Sequence, residues 1–166
     1  GNVNIGLWLD QETTPEKKIK LLELLDDIKD PVRKMDLLIT AKNFVCPSLF
    51  MADELGKKGG KTWVYQFNRV RDDKLAKKYG AFHGAELPYV FNTHDEWLPT
   101  NRTDRELTSI IQSYWLSFAK TGDPNNSSSS VWPNYEPVNE PTQILDTKIL
   151  VKNHESSEIC KIMNLF

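Results

Sequence analysis

The stretch that decides the fold is YGAFHGAELPYVF, residues 79–91. It sets His83 beside Gly84, in a segment where glycines let the backbone turn sharply and let other groups approach closely. An imidazole changes charge near neutral pH, so a histidine on such a turn is a candidate proton carrier. We predict a loop over residues 80–85 and a short helix over residues 86–91.

A second informative stretch, YWLSFAKTGDPN, covers residues 114–125 and is followed by Trp132-Pro133. It contains the end of a predicted helix that opens at a capping box, TDRE (residues 103–106), and runs to about Lys120. The aromatic residues at helical spacing in this helix indicate a core face rather than a platform for a ligand.

The rest of the chain predicts several helices and few strands. A cap residue followed by proline indicates helix starts at Thr14 and Asp30. Residues 62–67 are β-branched and aromatic and predict a buried strand. Further predicted elements are a helix over residues 45–55, a surface loop over residues 68–79, short strands at residues 143–145 and 149–151, and a last helix at about residues 156–164. A single clear strand cannot satisfy its own backbone groups, so we expect this chain to be part of a larger fold.

Composition and charge exclude several classes of protein. The 166 residues are 39% hydrophobic and 27% charged, which is ordinary for a globular protein. The net charge of -2 gives no reason to expect nucleic acid as a partner. No apolar run approaches the roughly 20 residues that span a bilayer, so no transmembrane segment is predicted. The chain begins at Gly1 without a signal-peptide pattern, so we expect a processed chain or a segment of something longer.

His83 is the candidate catalytic residue because a general base must lie on a loop that faces a cleft. On the pattern alone, a solvated or structural histidine is the alternative. His94 and His154 lie among polar residues and are interpreted as solvated. Glu86 could form a metal pair with His83, but no third ligand stands at a recognisable spacing, so no metal or other cofactor is predicted. The chain contains no G-x-S-x-G motif that would carry a nucleophilic serine.

The two cysteines, Cys46 and Cys160, leave two interpretations open. They are either buried free thiols, which are common in cytosolic proteins, or one long-range disulfide. Sequons at Asn101, Asn125 and Asn126 favour an exported protein, since each falls in a predicted loop where a glycan could be attached.

In order and in spacing, these stretches resemble the C-terminal third of the type B carboxylesterase/cholinesterase family of α/β-hydrolases. The similarity covers residues 44–166 and includes FVCP (residues 44–47), the His83 loop, the TGDPN turn and Trp132-Pro133. The resemblance implies an α/β fold. Residues 1–166 would be the helix-rich C-terminal segment of a single larger α/β-hydrolase catalytic domain, with the last strands of its mainly parallel central sheet.

The resemblance also implies roles for individual residues. His83 would be the general base and acid of a serine esterase, and Glu86 a buried carboxylate hydrogen-bonded behind it. The alternative role of Glu86 is that of an acid stabilised at a helix N-terminus. Gly84 would let the loop backbone pass close to the base. Cys46 and Cys160 match a pair of cysteines that is disulfide-bonded in cholinesterase-like members.

Two positions depart from the family pattern. Ala41 stands where the family often has an acidic residue. Ile5 stands where the triad acid would be, in a stretch (residues 1–6) that is faintly similar to the segment carrying that acid. The triad acid therefore either lies upstream or has been lost from this protein. We expect the serine, the acid and the oxyanion hole in an N-terminal part of the same enzyme.

The sequence thus predicts a segment of a secreted or extracellular serine carboxylesterase. It would act on a small ester and would need its N-terminal part for activity. The alternative is a non-catalytic, cholinesterase-like adhesion or binding protein, in which surface loops would make the contacts.

Overall fold

The computed structural model describes residues 4–94, 100–127, 129–154 and 156–164. They form two compact units: a helical unit, built from the chain up to Thr62 and from Asn153 onward, and a sheet unit, Trp63–Lys152. The helical unit contains α1 (Ile5–Glu12), α2 (Pro15–Leu24), α3 (Pro31–Thr40), α4 (Cys46–Lys57) and α8 (Ser157–Met163). The sheet unit contains β1 (Val64–Phe67), α5 (Lys74–Tyr79), α6 (Leu87–Phe91), α7 (Arg102–Thr121), β2 (Pro141–Leu145) and, up to its last residue, β3 (Leu150–Asn153).

Two helices of the helical unit begin at the caps that the sequence predicts. The Thr14 hydroxyl accepts a hydrogen bond from Lys17 N at 3.4 Å, and Asp30 Oδ1 accepts one from Val32 N at 2.9 Å. A proline occupies the first turn of each helix, where its missing N–H costs no hydrogen bond. α2 and α3 therefore begin where local chemistry alone favours a helix start.

α1 is a helix that the sequence analysis did not predict. Asn4 caps it, with Oδ1 accepting a hydrogen bond from Leu7 N at 3.0 Å. Leu9 is its one buried residue, so the apolar pattern that marks an amphipathic helix is weak. Of the stretch compared with the triad-acid segment, residues 1–3 lie outside the described residues, and Ile5 is the first residue of α1.

A π-helical turn, Ala41–Val45, joins α3 to α4 without a break. The sequence predicts a separate helix entered through Cys46-Pro47. The helix instead continues because Cys46 N bonds to Ala41 O, five residues earlier. This wider turn puts Pro47 in the first turn of α4, where it needs no N–H donor.

The continuous helix Pro31–Lys57 is long and apolar enough to cross a membrane, judged by length and composition alone. The core helix of a soluble protein meets the same description. Cys46, Leu49 and Ala52 are buried within the helical unit, so packing accounts for part of its apolar character. The predicted absence of a transmembrane segment stays a prediction.

A disulfide joins Cys46 at the start of α4 to Cys160 in α8, with 5.4 Å between the two Cα atoms. Both cysteines are fully buried. Of the two interpretations that the sequence leaves open, the structure therefore contains the long-range disulfide, which is the pairing implied by the family resemblance. The bond fastens the C-terminal helix to a helix 114 residues earlier in the chain.

The small sheet has three strands in the order β1-β2-β3. β1 and β2 run parallel, with Val64 opposite Thr142 and Phe67 opposite Leu145. Residues 146–149 are too short a connection for a parallel crossover, so β2 and β3 form a hairpin. The three predicted strands are confirmed, but β1 is half-buried rather than buried, since Val64, Gln66 and Phe67 are partly buried and Tyr65 is exposed. The sheet packs on a hydrophobic core formed by Tyr89, Leu107, Ile111, Tyr114, Trp132 and Leu145.

α7 is the long amphipathic helix that the sequence predicts, but its cap lies elsewhere. Asn101 Oδ1 accepts a hydrogen bond from Asp104 N, and Asp104 Oδ2 accepts one from Asn101 N, each at 3.0 Å. The predicted capping box at residues 103–106 is therefore wrong, because Thr103 already lies inside the helix. Gly122, with a φ angle of 75°, ends the helix as a left-handed cap.

The prediction of a surface loop over residues 68–79 is wrong in two respects. Its second half forms the helix α5. Arg69 and Arg71 are only 8% and 6% exposed, because both guanidinium groups bond to buried side chains. A run of charged residues indicates a solvated segment only where the charges lack partners inside the fold.

Candidate active site

His83 lies in a loop whose shape depends on a glycine turn. Gly84 has a φ angle of 87°, in the left-handed region where a side chain would be strained. Phe82 O accepts a hydrogen bond from Ala85 N at 2.9 Å, and Gly84 O accepts one from Leu87 N at 3.1 Å. Hydrogen-bonded turns thus run without interruption from the loop into α6. The predicted loop and short helix are confirmed.

The structure brings His83, Gly84 and Glu86 together at this turn. His83 is exposed and Glu86 is half-buried. Glu86 is the N-cap residue of α6 and its side chain makes no capping hydrogen bond, so it occupies the position that the alternative role, an acid stabilised at a helix N-terminus, requires. Burial, and then the charge of Glu86, raise the pKa of Tyr65 on β1. The catalytic roles of these residues stay predictions.

Exposed apolar side chains flank His83 in the chain. Phe82 is 53% exposed and Leu87 is 49% exposed. Phe91, which is one turn after Leu87 on the same face of α6, is 67% exposed. Large apolar side chains left exposed at neighbouring positions are typical of surfaces that contact a ligand or another protein segment. Exposed apolar side chains therefore precede and follow the exposed His83 along the loop and α6.

Tyr89, on the buried side of α6, joins this helix to α7. Its hydroxyl donates a hydrogen bond to Asp104 Oδ1 at 2.8 Å. Tyr89 is 0% exposed and Asp104 is 1% exposed. The Tyr89 ring also packs on Phe67 of β1, with 5.0 Å between the ring centroids. The short helix is thereby held against both α7 and the sheet.

Two arginines that follow β1 complete this buried network. Arg69 Nε donates a hydrogen bond to Asp104 Oδ1 at 2.7 Å, and Arg71 Nε donates one to the Tyr89 hydroxyl oxygen at 3.2 Å. Arg69 also pairs with Asp72 at 3.1 Å. A buried carboxylate is tolerated when a cation and further hydrogen bonds replace the water it has lost, and Asp104 has both.

The network fixes the ionisation of its members at neutral pH. Burial opposes ionisation of Asp104, but the hydrogen bonds from Arg69, Asn101 N and Tyr89 outweigh it and hold the pKa of Asp104 below its ordinary value. Burial, and then the hydrogen bond to Asp104, raise the pKa of Tyr89 to about 12. The carboxyl group is therefore charged, and the phenol keeps the proton that it donates.

His94 adjoins this network, and its interpretation as a solvated residue is wrong. Its Nε2 lies 2.6 Å from Thr108 Oγ1, and its ring meets the Tyr89 ring edge-on with 5.2 Å between centroids. Burial, and then the charges of Arg71 and Arg105, lower the pKa of His94. The residue is therefore a neutral packing partner at physiological pH.

His154 is also buried rather than solvated. Its Nδ1 accepts a hydrogen bond from Ser156 N at 3.1 Å, just before α8. The side chain therefore satisfies a backbone donor at a helix start, which is a structural role. Neighbouring polar residues in the sequence could not distinguish this arrangement from a solvated loop.

The three sequon asparagines differ in their surroundings. Asn101 is exposed. Asn125 Nδ2 donates a hydrogen bond to Trp132 O at 3.0 Å, and Asn126 Nδ2 donates one to Ser113 O at 3.3 Å. The serine at the third position of the Asn126 sequon lies outside the described residues. The Asn101 amide nitrogen, to which a glycan would be attached, also donates a hydrogen bond, to Asp72 Oδ2 at 2.5 Å, so Asn101 differs from the other two in its greater exposure alone, and glycosylation stays a prediction.

The buried network is the feature that sequence reasoning missed, although the sequence contains a signal of it. Asp104 lies on the same helical stripe as the buried Leu107, Ile111 and Tyr114. An acid on an apolar stripe requires a cation inside the fold. Arg69 and Arg71, which follow β1, were the candidates for that cation.

Within the described ranges, no group of three His, Cys, Asp or Glu side chains is placed to hold a metal ion. The absence of metal and other cofactors from the function stays a prediction, as does the absence of a nucleic-acid partner. Of the predicted site residues, the structure brings together the two cysteines and the three residues of the His83 turn.

Comparisons with known proteins give a consistent result. The model of the Carboxylesterase family matches residues 11–163 of this chain. Acetylcholinesterase from Gallus gallus is 32% identical over 165 residues, which cover 96% of this chain and 19% of that protein. Para-nitrobenzyl esterase from Bacillus subtilis (strain 168) is 37% identical over 101 residues, which cover 58% of this chain and 20% of that protein.

Among solved structures, a thermophilic PNB esterase matches 100% of this chain with a TM-score of 0.74 and 27% sequence identity. The match covers 34% of that esterase chain. This chain therefore spans about a fifth of the length of the two curated relatives and about a third of the solved structure.

Proposed function

Since this chain belongs to the carboxylesterase family and has an α/β-hydrolase fold, we propose that it supplies the catalytic histidine, His83, of a serine carboxylesterase. The observation that carries the proposal is the setting of this residue. His83 is exposed on a loop that a left-handed Gly84 shapes and that apolar side chains flank. A base on a fixed turn, open to substrate, is what acyl transfer requires.

In the proposed reaction, His83 moves protons between oxygen atoms. Its imidazole accepts the proton of a serine hydroxyl as the serine oxygen attacks the ester carbonyl. The imidazolium then gives that proton to the departing alkoxide, which leaves an acyl-serine. A water molecule attacks the acyl group, giving its proton to His83, and the serine leaves with that proton. The products are an alcohol and a carboxylic acid.

The other catalytic groups would lie in an N-terminal part of the same enzyme. That part would carry the serine, the triad acid and the backbone donors that stabilise the oxyanion. Glu86 would remain behind the histidine as a hydrogen-bonded carboxylate that does not react. Without the N-terminal part, the 166 residues would have no esterase activity of their own.

The sheet supports this division of the domain. Among the described residues β1 pairs on one side only, with β2, and leaves its other edge open. An open edge of a parallel pair offers a row of backbone donors and acceptors to a further strand. The N-terminal part would continue the sheet from β1, so residues 1–166 would be the C-terminal segment of one catalytic domain.

The disulfide supports a secreted or extracellular location. Disulfides form and persist mainly in oxidising compartments and are rare in the cytosol. The Cys46–Cys160 bond is fully buried and joins distant parts of the chain, as a structural disulfide does. A glycan at Asn101 would fit the same location.

The test is ester turnover by the complete enzyme. We expect His83→Ala to lower kcat by roughly a thousandfold or more, because the serine loses its base. His154→Gln is the matched control, since His154 is a buried histidine whose Nδ1 accepts a hydrogen bond from Ser156 N just before α8, in the helical unit. At a temperature well below unfolding it should keep nearly full turnover. A His83→Ala enzyme with near wild-type turnover would sink the proposal.

A further inference from the structure

Tyr89 is the point at which α6 is attached to the rest of the sheet unit. Its hydroxyl donates to Asp104 Oδ1 at 2.8 Å and accepts from Arg71 Nε at 3.2 Å. The Arg71 guanidinium carbon also lies 5.0 Å from the Tyr89 ring centroid. One hydroxyl group therefore connects α6 to the start of α7 and to the segment that follows β1.

α6 depends on such contacts for its position. It has five residues, and an isolated helix shorter than roughly 12 residues is marginal in water. Its Leu87 and Phe91 side chains are 49% and 67% exposed, whereas Tyr89 is fully buried and Val90 packs against the same core. The buried face, centred on Tyr89, therefore determines where the helix lies.

The position of α6 is transmitted to the His83 loop through the backbone. Phe82 O accepts from Ala85 N, Gly84 O accepts from Leu87 N, and Glu86 O accepts from Val90 N at 3.0 Å. Each of these bonds overlaps the next in the chain. A displacement of α6 would therefore carry the loop backbone with it.

We propose that the Tyr89 hydroxyl, held by Asp104 and Arg71, is a positioning group for the catalytic histidine. Tyr89 does not touch substrate; it acts by fixing α6 and, through the turns, the His83 imidazole. This inference rests on the proposed function. Misplacing a catalytic base by about 1 Å can lower the rate roughly a hundredfold. Contacts that fix the position of α6 would therefore maintain the rate by keeping His83 in place.

The test compares two tyrosine hydroxyls in the complete enzyme. Tyr89→Phe removes the hydroxyl from α6. Tyr114→Phe is the matched control, because Tyr114 is also 0% exposed and its hydroxyl also both donates, to Ser130 O at 2.7 Å, and accepts, from Gln143 Nε2 at 3.1 Å. Ser130 and Gln143, the two partners of the Tyr114 hydroxyl, are distant in sequence from the turn that carries His83. We expect Tyr89→Phe to lower kcat about ten- to a hundredfold with KM nearly unchanged, and Tyr114→Phe to leave kcat within about twofold.

A second readout does not depend on activity. Hydrogen exchange of the peptide that spans residues 82–91 should speed up in Tyr89→Phe and stay as in wild type in Tyr114→Phe, with both proteins folded. Equal effects of the two variants on kcat and on this peptide would overturn the inference, because Tyr89 would then be an ordinary core residue. If instead His83→Ala keeps its activity, the proposed function fails, and the exchange result reports on α6 alone.

Discussion

The hydroxyl of Tyr89 on α6 donates a hydrogen bond to Oδ1 of Asp104 on α7 across 2.8 Å, with both side chains almost completely removed from solvent. The same carboxylate accepts a hydrogen bond from Arg69 Nε at 2.7 Å. A charged group that is buried and paired in this way makes the stability of the sheet unit depend on its ionisation. The ionisation of Asp104, and of His94 beside it, should therefore be visible in how stability varies with pH.

Asp104→Asn should destabilise the protein at neutral pH by up to about 3–5 kcal/mol, because Arg69 would lose its buried anion and keep only the exposed Asp72 as a charged partner among the described residues. The pKa of Asp104 is lower in the folded state than the roughly 3.9 expected in the unfolded chain. The ionised Asp104 therefore contributes to the free energy of unfolding above about pH 4. That contribution is lost as the pH falls through the pKa of Asp104 in the folded state. Urea unfolding of both proteins at pH 7 and at pH 3 should show a smaller difference at the lower pH. A difference that is the same at both pH values would contradict the ionised pair.

His94→Gln should reduce the pH dependence of stability on the acid side of neutrality. Burial and the charges of Arg71 and Arg105 outweigh the opposing charge of Asp104 and lower the pKa of His94 in the folded state. The unfolded chain therefore takes up this proton first, near pH 6.5, and wild-type stability falls as pH decreases below that value. Glutamine keeps a hydrogen-bonding group near Thr108 but does not titrate.

Urea midpoints measured between pH 7.5 and 5.5 test this second prediction. The wild-type midpoint should drop more steeply than that of His94→Gln over this interval. Parallel pH profiles for the two proteins would mean that His94 does not resist protonation in the fold.

The Cys46–Cys160 bond should be present in the purified protein and should contribute strongly to stability. The loop that it closes spans 114 residues, for which the chain-entropy model gives about 4–5 kcal/mol. The Cys46→Ser, Cys160→Ser double variant should therefore unfold at a much lower urea concentration than the oxidised protein. Thiol labelling of the unreduced, denatured protein should find no free cysteine in this chain. Two labelled thiols would refute the disulfide.

The helix cap of α7 can be separated from glycosylation by three variants. Asn101→Ala removes both the cap and the sequon, and should cost about 1 kcal/mol through the lost cap. Thr103→Ala also destroys the sequon but leaves the Asn101 cap, while Asn101→Ser keeps a neutral capping oxygen and adds no charge beside Asp72, which Asn101 Nδ2 contacts at 2.5 Å. Thermal unfolding of unglycosylated proteins should rank Asn101→Ala below the other two. If Thr103→Ala lost more thermal stability than Asn101→Ala, Thr103 would be the capping residue, as the predicted capping box at residues 103–106 requires.

Local chemistry explains which parts of the fold could be predicted from the sequence. Caps with a following proline, as at Thr14 and Asp30, act within one turn, so the helix starts could be read directly. The glycine turn around His83 is equally local. α1 escaped prediction because a single buried leucine leaves no periodic pattern.

The features that sequence reasoning missed depend on distant partners. Arg69 is buried because Asp104, 35 residues later, neutralises it. His94 is half-buried because Thr108 on α7 and Tyr89 on α6 contact its ring. The sequence marks Asp104, on the apolar stripe of α7, as an acid in need of a cation, but it does not identify Arg69 as that cation, and it gives no sign of the His94 contacts. The candidate catalytic residue could be located from its motif, whereas the network that holds its helix needed the structure.

The central claim, that His83 activates an upstream serine, is tested most directly by labelling of the complete enzyme with a fluorophosphonate probe, followed by intact mass over time. We expect wild-type enzyme to gain one probe on a serine outside these 166 residues, and His83→Ala to label at least about a hundredfold more slowly, because the serine hydroxyl then lacks its base. Labelling of His83→Ala at the wild-type rate, or no labelling of a folded wild-type enzyme, would contradict the account.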